Sequence, residues 1–250
     1  MKLSVVMTYH NRPDQFDLTL RSIQEQGDPD LELIVVDDAS DEDLKARHVL
    51  DRLGVEAKLI EITEEEKYWV NPSVPYNMGF SEVTGDVVVI QNAEAAHVGQ
   101  VFREIRCKVS TTTYIVAPCY STTENEFHRL CGTKGGAEAS IRSVVEPNKR
   151  DQWYHHPQLF PKWYHFCSAM TTDNLQRLGG FNEAFAAGYC FEDNEFLLRI
   201  RKRLKLTVDS MANGTYVIHQ WHPKNPAMCG GCDLWERNRK LYALIEEQLK

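Results

Sequence analysis

The strongest constraint on the fold is a repeated alternation in the first third of the chain. A short β-branched run, a polar cluster and an amphipathic stretch follow one another, and then the pattern restarts. Strands laid in parallel with helices covering the sheet produce this alternation. Leu3 to Met7 is the first run, broken by Thr8-Tyr9-His10-Asn11-Arg12. Pro13 suits the first turn of a helix, where no amide donor is needed. That helix runs to about Gln26 with Phe16, Leu20 and Ile23 on one stripe, and Gly27 stops it. Leu31 to Val36 is the second strand, ended by Asp37-Asp38-Ala39-Ser40; Asp43 to Leu53 reads as helix and Ala57 to Ile62 as the third strand. A loop at Asn71-Pro72-Ser73-Val74-Pro75 leads into a helix near Tyr76 to Val83. Asp86 to Ile90 is a strand buried on both faces that stops at Gln91-Asn92-Ala93-Glu94. Three polar clusters therefore lie at the carboxyl ends of predicted strands, where open α/β sheets bind ligands.

The second half is less regular. Val98 to Lys108 reads as helix and Tyr114 to Ala117 as strand, while residues 119–165, rich in Gly, Pro, His and aromatics, read as an acceptor or lid region. Thr172-Asp173-Asn174 caps a short helix ending at Gly179-Gly180, and Glu192 to Leu204 forms a longer one with Phe196, Leu197 and Ile200 inward. Thr207 to Asp209 and Thr215 to Ile218 are short strands, and Leu234 to Leu249 is an amphipathic packing or dimer helix. A formal charge of -8 disfavours nucleic acid as a partner. Seven cysteines, an odd number in a chain of this length, fit reduced thiols rather than a disulfide framework. With no run of about 18 apolar residues and no secretion signal at the start, the expectation is a soluble, cytoplasmic protein without a transmembrane segment.

Five segments, in order, resemble family-2 glycosyltransferases of the GT-A fold. They are Thr8-Tyr9-His10-Asn11-Arg12, Val35-Val36-Asp37-Asp38-Ala39-Ser40, Tyr76-Asn77-Met78-Gly79, Gly179-Gly180-Phe181-Asn182-Glu183 and Phe191-Glu192-Asp193. The resemblance spans most of residues 1–222 and implies a Rossmann-like mixed α/β sheet flanked by helices, mainly parallel in its N-terminal half. It divides the chain into a nucleotide-sugar-binding half at 1–110, an acceptor-binding and catalytic half of the same domain at 111–222, and a loop and helix at 223–250.

The implied activity is an inverting transfer of a sugar from a nucleotide-diphosphate donor, a UDP-sugar, to a hydroxyl of a glycan or glycoconjugate. Asp37 and Asp38 would accept hydrogen bonds from ribose or base, and the alternative is that they cap the next helix. Thr8, His10, Asn11 and Arg12 would line the same crevice, with Arg12 offsetting pyrophosphate charge. Asn77 belongs to the helix segment of the resemblance and is assigned to the donor site. The family's aspartate cluster after the fourth strand is replaced here by Gln91-Asn92-Ala93-Glu94, with one acid. Glu94 is then the best metal ligand, Gln91 and Asn92 contact the sugar or the ion, and otherwise they merely end the strand. The family's late metal histidine maps onto His219, so that Glu94, His219 and phosphate oxygens would hold Mn²⁺ or Mg²⁺. By the family's motif Asp193 is the general base, with Glu192 orienting the acceptor. Trp153, Trp163, His165 and His222 are acceptor-side candidates, and aromatic core packing is the alternative for the cluster.

Two other readings stay open. One is a non-catalytic nucleotide-sugar or glycan-binding module, suggested by the depleted acid cluster. The other is a zinc-stabilised interaction domain built on His219, His222, Cys229 and Cys232. Self-association into a homo-oligomer is also left open.

Overall fold

A computed structural model describes residues 1–133, 135–212, 214–223 and 231–249. In chain order the elements are β1 (Leu3–Tyr9), α1 (Pro13–Gln24), β2 (Leu31–Asp38), α2 (Ala46–Leu53), β3 (Lys58–Ile62), α3 (Ser73–Phe80), β4 (Val87–Asn92), β5 (Ala95–Val98), α4 (Val101–Lys108) and β6 (Thr113–Val116). They continue with β7 (Cys119–Ser121), α5 (Glu124–Cys131), α6 (Ala137–Val144), β8 (Trp153–His155), β9 (Cys167–Thr171), α7 (Thr172–Leu178), α8 (Glu192–Arg199), β10 (Thr207–Ser210), β11 (Tyr216–His219) and α9 (Asp233–Gln248).

Among the described residues the strands form two sheets. The larger has the order β10-β6-β9-β4-β1-β2-β3, and β9 alone in it runs antiparallel to its neighbours. The smaller has the order β5-β11-β7-β8. β1 lies inside the large sheet, and Leu3, Val5, Val6 and Met7 are all fully buried, which is why the run is apolar without alternation. Phe16, Leu20 and Ile23 of α1 pack into the same core as Val5, Met7 and Val35.

Several boundaries moved for identifiable reasons. The stretch expected as one helix from Asp43 splits into a 3₁₀ turn at Glu42–Leu44 and α2, because an Asp37 carboxylate oxygen caps α2 by accepting from Ala46 N at 2.8 Å. The helix expected from Val98 starts at Val101, since Ala95–Val98 is β5 in the small sheet. The helix expected over Tyr76 to Val83 spans Ser73–Phe80. The described residues of 119–165 contribute β7, α5, α6 and β8. No described helix is long and apolar enough to cross a membrane.

The register decides what the carboxyl ends of the large sheet present. Thr8 pairs with Val36 on one side and Asn92 on the other. The polar clusters after β1, β2 and β4 thus share one edge. The small sheet adds the fourth contribution: β5 and β11 pair antiparallel with His219 opposite Ala95, and Gln220 N donates to Glu94 O at 2.9 Å. That pairing carries Glu94, at the turn between β4 and β5, to His219.

Candidate active site

A cleft of about 570 Å³ opens at that edge, lined among others by Thr8, His10, Arg12, Asp38, Asn92, Glu94, His165, Glu192, Asp193, His219 and His222. It has two chemically distinct poles.

The first pole is centred on Glu94. One of its carboxylate oxygens lies 2.8 Å from the Arg12 guanidinium, 3.5 Å from His219 Nε2 and 3.8 Å from His222 Nε2. Burial raises the Glu94 pKa, but His219, Arg12 and His222 outweigh it and hold the group well below the usual carboxylate range. Burial, together with the neighbouring Arg12 charge, pushes His222 below its ordinary value and so favours the neutral imidazole with a free lone pair. Potential ligand atoms of Glu94, His219 and His222 lie within 4.8 Å of one another. One carboxylate and two imidazoles are a donor set suited to a divalent first-row ion such as Mn²⁺. The residues present therefore fit a metal, with a second histidine where the aspartate cluster is depleted.

The second pole is the Glu192–Asp193 pair at the start of α8. A helix N-terminus favours ionised carboxylates, yet here burial wins and raises both groups, Glu192 additionally through the Asp193 charge beside it. Glu192 is buried, with Oε2 lacking a hydrogen-bond partner among the described residues, whereas the Asp193 side chain keeps 32% of its exposure. Both line the cleft, and Asp193 is the more accessible of the two. His165 Nδ1 sits 3.1 Å from Asp193 Oδ1, and burial brings the His165 pKa down to about 3, so the imidazole is neutral.

The placement of this pole follows from local sequence. Cys190 and Phe191 are consecutive non-glycine residues with φ of 63° and 72°, a strained pair directly before the carboxylates. Two buried asparagines hold the turn that contains them. Asn71 donates to Phe185 O and Gly188 O, and Asn238 of α9 donates to Phe185 O and Cys190 O. Phe191 packs on Trp235 and Tyr242 of α9, so that helix is a packing element. From below, Arg199 ties α8 to Leu178 O and Gly180 O. Gly180 must be glycine: its φ is 69°, and a Cβ there would lie 2.4 Å from Asn77 Oδ1.

The structure places several of the sequence-derived candidates away from the cleft or commits their side chains to the fold. Asp37 is buried and spends its two oxygens on Ser40 N and Ala46 N, so it caps the chain below the cleft while Asp38 lines it. Asn11, in the left-handed region at φ 49°, is tied to Asp41 through both ends of its amide. Asn77 braces the Gly179-Gly180 turn through Phe181 N, Phe181 O and Glu183. Gln91 is fully buried and bonds Ala95 O and His97, whereas its neighbour Asn92 lines the cleft and meets the Tyr76 hydroxyl at 3.0 Å. Trp153 borders a separate depression with His156 and Tyr216, and Trp163 packs on His155. Neither lines the cleft. The zinc reading requires Cys229, which lies outside the described residues; His219 and His222 both face Glu94.

Of the other lining residues, Trp69 stands out in the sequence as bordering the donor site, whereas Lys67 and Tyr189 carry no sequence signal of their own. Lys67 and Trp69 reach Asp38 from the loop before α3, at 3.2 Å and 2.8 Å, and Tyr189 lines the cleft beside the carboxylate pair. Loop residues have no periodicity that points to a ligand.

Polar groups gathered beyond the carboxyl ends of parallel strands stand where open α/β sheets bind ligands. The sequence profile of Glycosyl transferase family 2 matches residues 4–129, half of the chain. The chain belongs to glycosyl transferase family 2. No curated protein sequence matches it significantly. Among solved structures, S. aureus TarS 1-349 in complex with UDP-GlcNAc is similar at a TM-score of 0.64 and 14% identity, covering 98% of this chain and 66% of that one. The full TarS structure has a TM-score of 0.59 at 14% identity, covering 98% of this chain and 39% of that one. The mannosyltransferase PcManGT from Pyrobaculum calidifontis, in complex with GDP-Man and Mn²⁺, gives 0.56 and 18%, covering 90% of this chain and 58% of that one. The chain thus spans less than two thirds of each of these structures, and at such identities the likeness shows the GT-A fold alone.

Proposed function

We propose that this protein is an inverting glycosyltransferase that moves a sugar from a nucleotide-diphosphate donor, a UDP-sugar first among them, to a hydroxyl of a glycan or glycoconjugate. The observation that carries this reading is the meeting, in one cleft, of a partly exposed carboxylate with raised basicity and a separate cation-rich centre. The donor half is 1–110, where Asp38 with Lys67 and Trp69 receives the nucleoside and Thr8, His10 and Asn92 flank the diphosphate. Residues 111–222 supply the acceptor side and the base.

In the transfer, Asp193 takes the proton from the acceptor hydroxyl while that oxygen bonds to the anomeric carbon. The carbon–oxygen bond to the diphosphate breaks on the opposite face, and the diphosphate leaves with the electron pair. Once ionised, an Asp193 raised by burial is a better base than an ordinary carboxylate. His165 holds its orientation, and Glu192, whose carboxyl burial pushes toward the protonated form, can donate to an acceptor oxygen. Arg12 offsets the diphosphate charge. Glu94, His219 and His222 would hold Mn²⁺ or Mg²⁺, which when bound neutralises charge on the departing diphosphate. TarS bound to UDP-GlcNAc and PcManGT bound to GDP-Man and Mn²⁺ support the class of donor and the cation.

The test is a screen of nucleotide sugars by thermal shift and by hydrolysis, with and without Mn²⁺. A donor that raises the melting temperature and is slowly hydrolysed supports the proposal. Binding with no turnover on any acceptor, and no hydrolysis, supports the glycan- or nucleotide-binding module instead.

A further inference from the structure

The single acid of the cation-rich pole already has a partner. Arg12 is the residue that leads into α1, its side chain is 35% exposed, and its guanidinium lies 2.8 Å from Glu94 Oε1. A metal at Glu94 and an arginine at Glu94 compete for the same carboxylate oxygen, and the two positive charges repel one another. In a site with several aspartates an arginine on one of them would leave the others free. Here the two remaining ligands, His219 and His222, carry no compensating negative charge, so the arginine on Glu94 opposes the cation directly.

We propose that Arg12 is a latch on Glu94 that couples cation and diphosphate binding. Resting on the reading of the cleft as a nucleotide-diphosphate site, the latch makes the cation alone a poor ligand, because it must displace the guanidinium from Glu94. A diphosphate changes this by offering the guanidinium new oxygens within the same cleft, which frees Glu94 for the cation. The two ligands then bind as a unit, and by linkage each strengthens the other by the same factor. The depleted acid cluster becomes a device that keeps the site from holding a cation without a donor to go with it.

The experiment titrates Mn²⁺ by calorimetry and by the electron paramagnetic resonance signal of free Mn²⁺, alone and with saturating UDP or GDP. It uses the wild-type protein, Arg12→Gln and Arg12→Lys, each checked for an unchanged thermal transition without ligand. In the wild type the nucleotide is expected to tighten Mn²⁺ binding by about tenfold or more. In Arg12→Gln, Mn²⁺ alone is expected to bind about tenfold tighter than in the wild type, and the nucleotide effect shrinks. Arg12→Lys, which keeps the charge but loses the forked geometry, falls between them. Nucleotide binding with equal Mn²⁺ affinity in wild type and Arg12→Gln overturns the latch and leaves the transferase reading standing. No binding of UDP or GDP to the wild type, with or without Mn²⁺, overturns the diphosphate reading and the latch with it.

Discussion

Glu94 and the Glu192–Asp193 pair are carboxylates in the same cleft, and their surroundings drive them in opposite directions. Glu94 is out of water but ringed by Arg12, His219 and His222, so it stays ionised far into acid. Glu192 is out of water and Asp193 largely so, with no cation beside them among the described residues, so burial shifts both toward the protonated form. Burial is common to both; the presence of positive partners decides the sign. The contrast fits a division of labour in which one pole carries fixed charge for a leaving group and the other exchanges a proton.

Removing the exchanging pole should have the largest effect. Asp193→Asn is expected to lower kcat by about 10³-fold while nucleotide-sugar binding, followed by calorimetry, stays near wild type. A variant with full turnover would dissolve the contrast. Glu94→Gln should act on the other pole: Mn²⁺-dependent UDP affinity falls about tenfold, and chelation of the wild type reproduces much of that loss. The pH profile separates the poles without mutation. Because Asp193 must be ionised to accept a proton and its folded pKa is raised, kcat should climb with pH through a value above the ordinary carboxylate range. An acid limb at ordinary carboxylate pH would mean that burial does not govern this pair.

Stability gives a smaller effect with a definite sign. A carboxyl whose pKa is raised by folding contributes stability fully below its unfolded value, and that contribution is lost as pH rises through the folded one. Glu192→Gln removes this loss, so its melting temperature should exceed that of the wild type by about 2 °C at pH 8 and by less at pH 5. The smallest effect on catalysis is expected from Trp153→Phe. The ring lies in a separate depression, so kcat and KM should stay within about twofold while denaturant unfolding reports the lost packing.

Much of the large sheet was legible because its central strands are buried on both faces and written as β-branched runs, as in Val87 to Ile90. β5 and β9 were not. Ala95-Ala96-His97-Val98 and Cys167-Ser168-Ala169-Met170-Thr171 contain mostly small or flexible residues, and pairing with neighbours, not strand propensity, makes them extended. The site shows a finer limit. Sequence position located the strand ends, but the two-residue period of a strand sends adjacent side chains to opposite faces. Asp38 and Asn92 enter the cleft while Asp37 and Gln91 turn inward, and composition does not distinguish the members of each pair. Asn77 shows another limit: a motif residue can be committed to a close turn, as its amide is to Phe181 beside Gly180.

The hold of Asn238 on the Cys190 carbonyl joins residues 48 positions apart in the chain. On a translating ribosome, the strained bend at Cys190 and Phe191 must wait for α9 to emerge before that clasp can close. The corner that carries Glu192 and Asp193 would therefore be among the last parts of the fold to set, and a nascent chain halted before α9 would carry β1, β2 and β4 without the clasp that holds that corner.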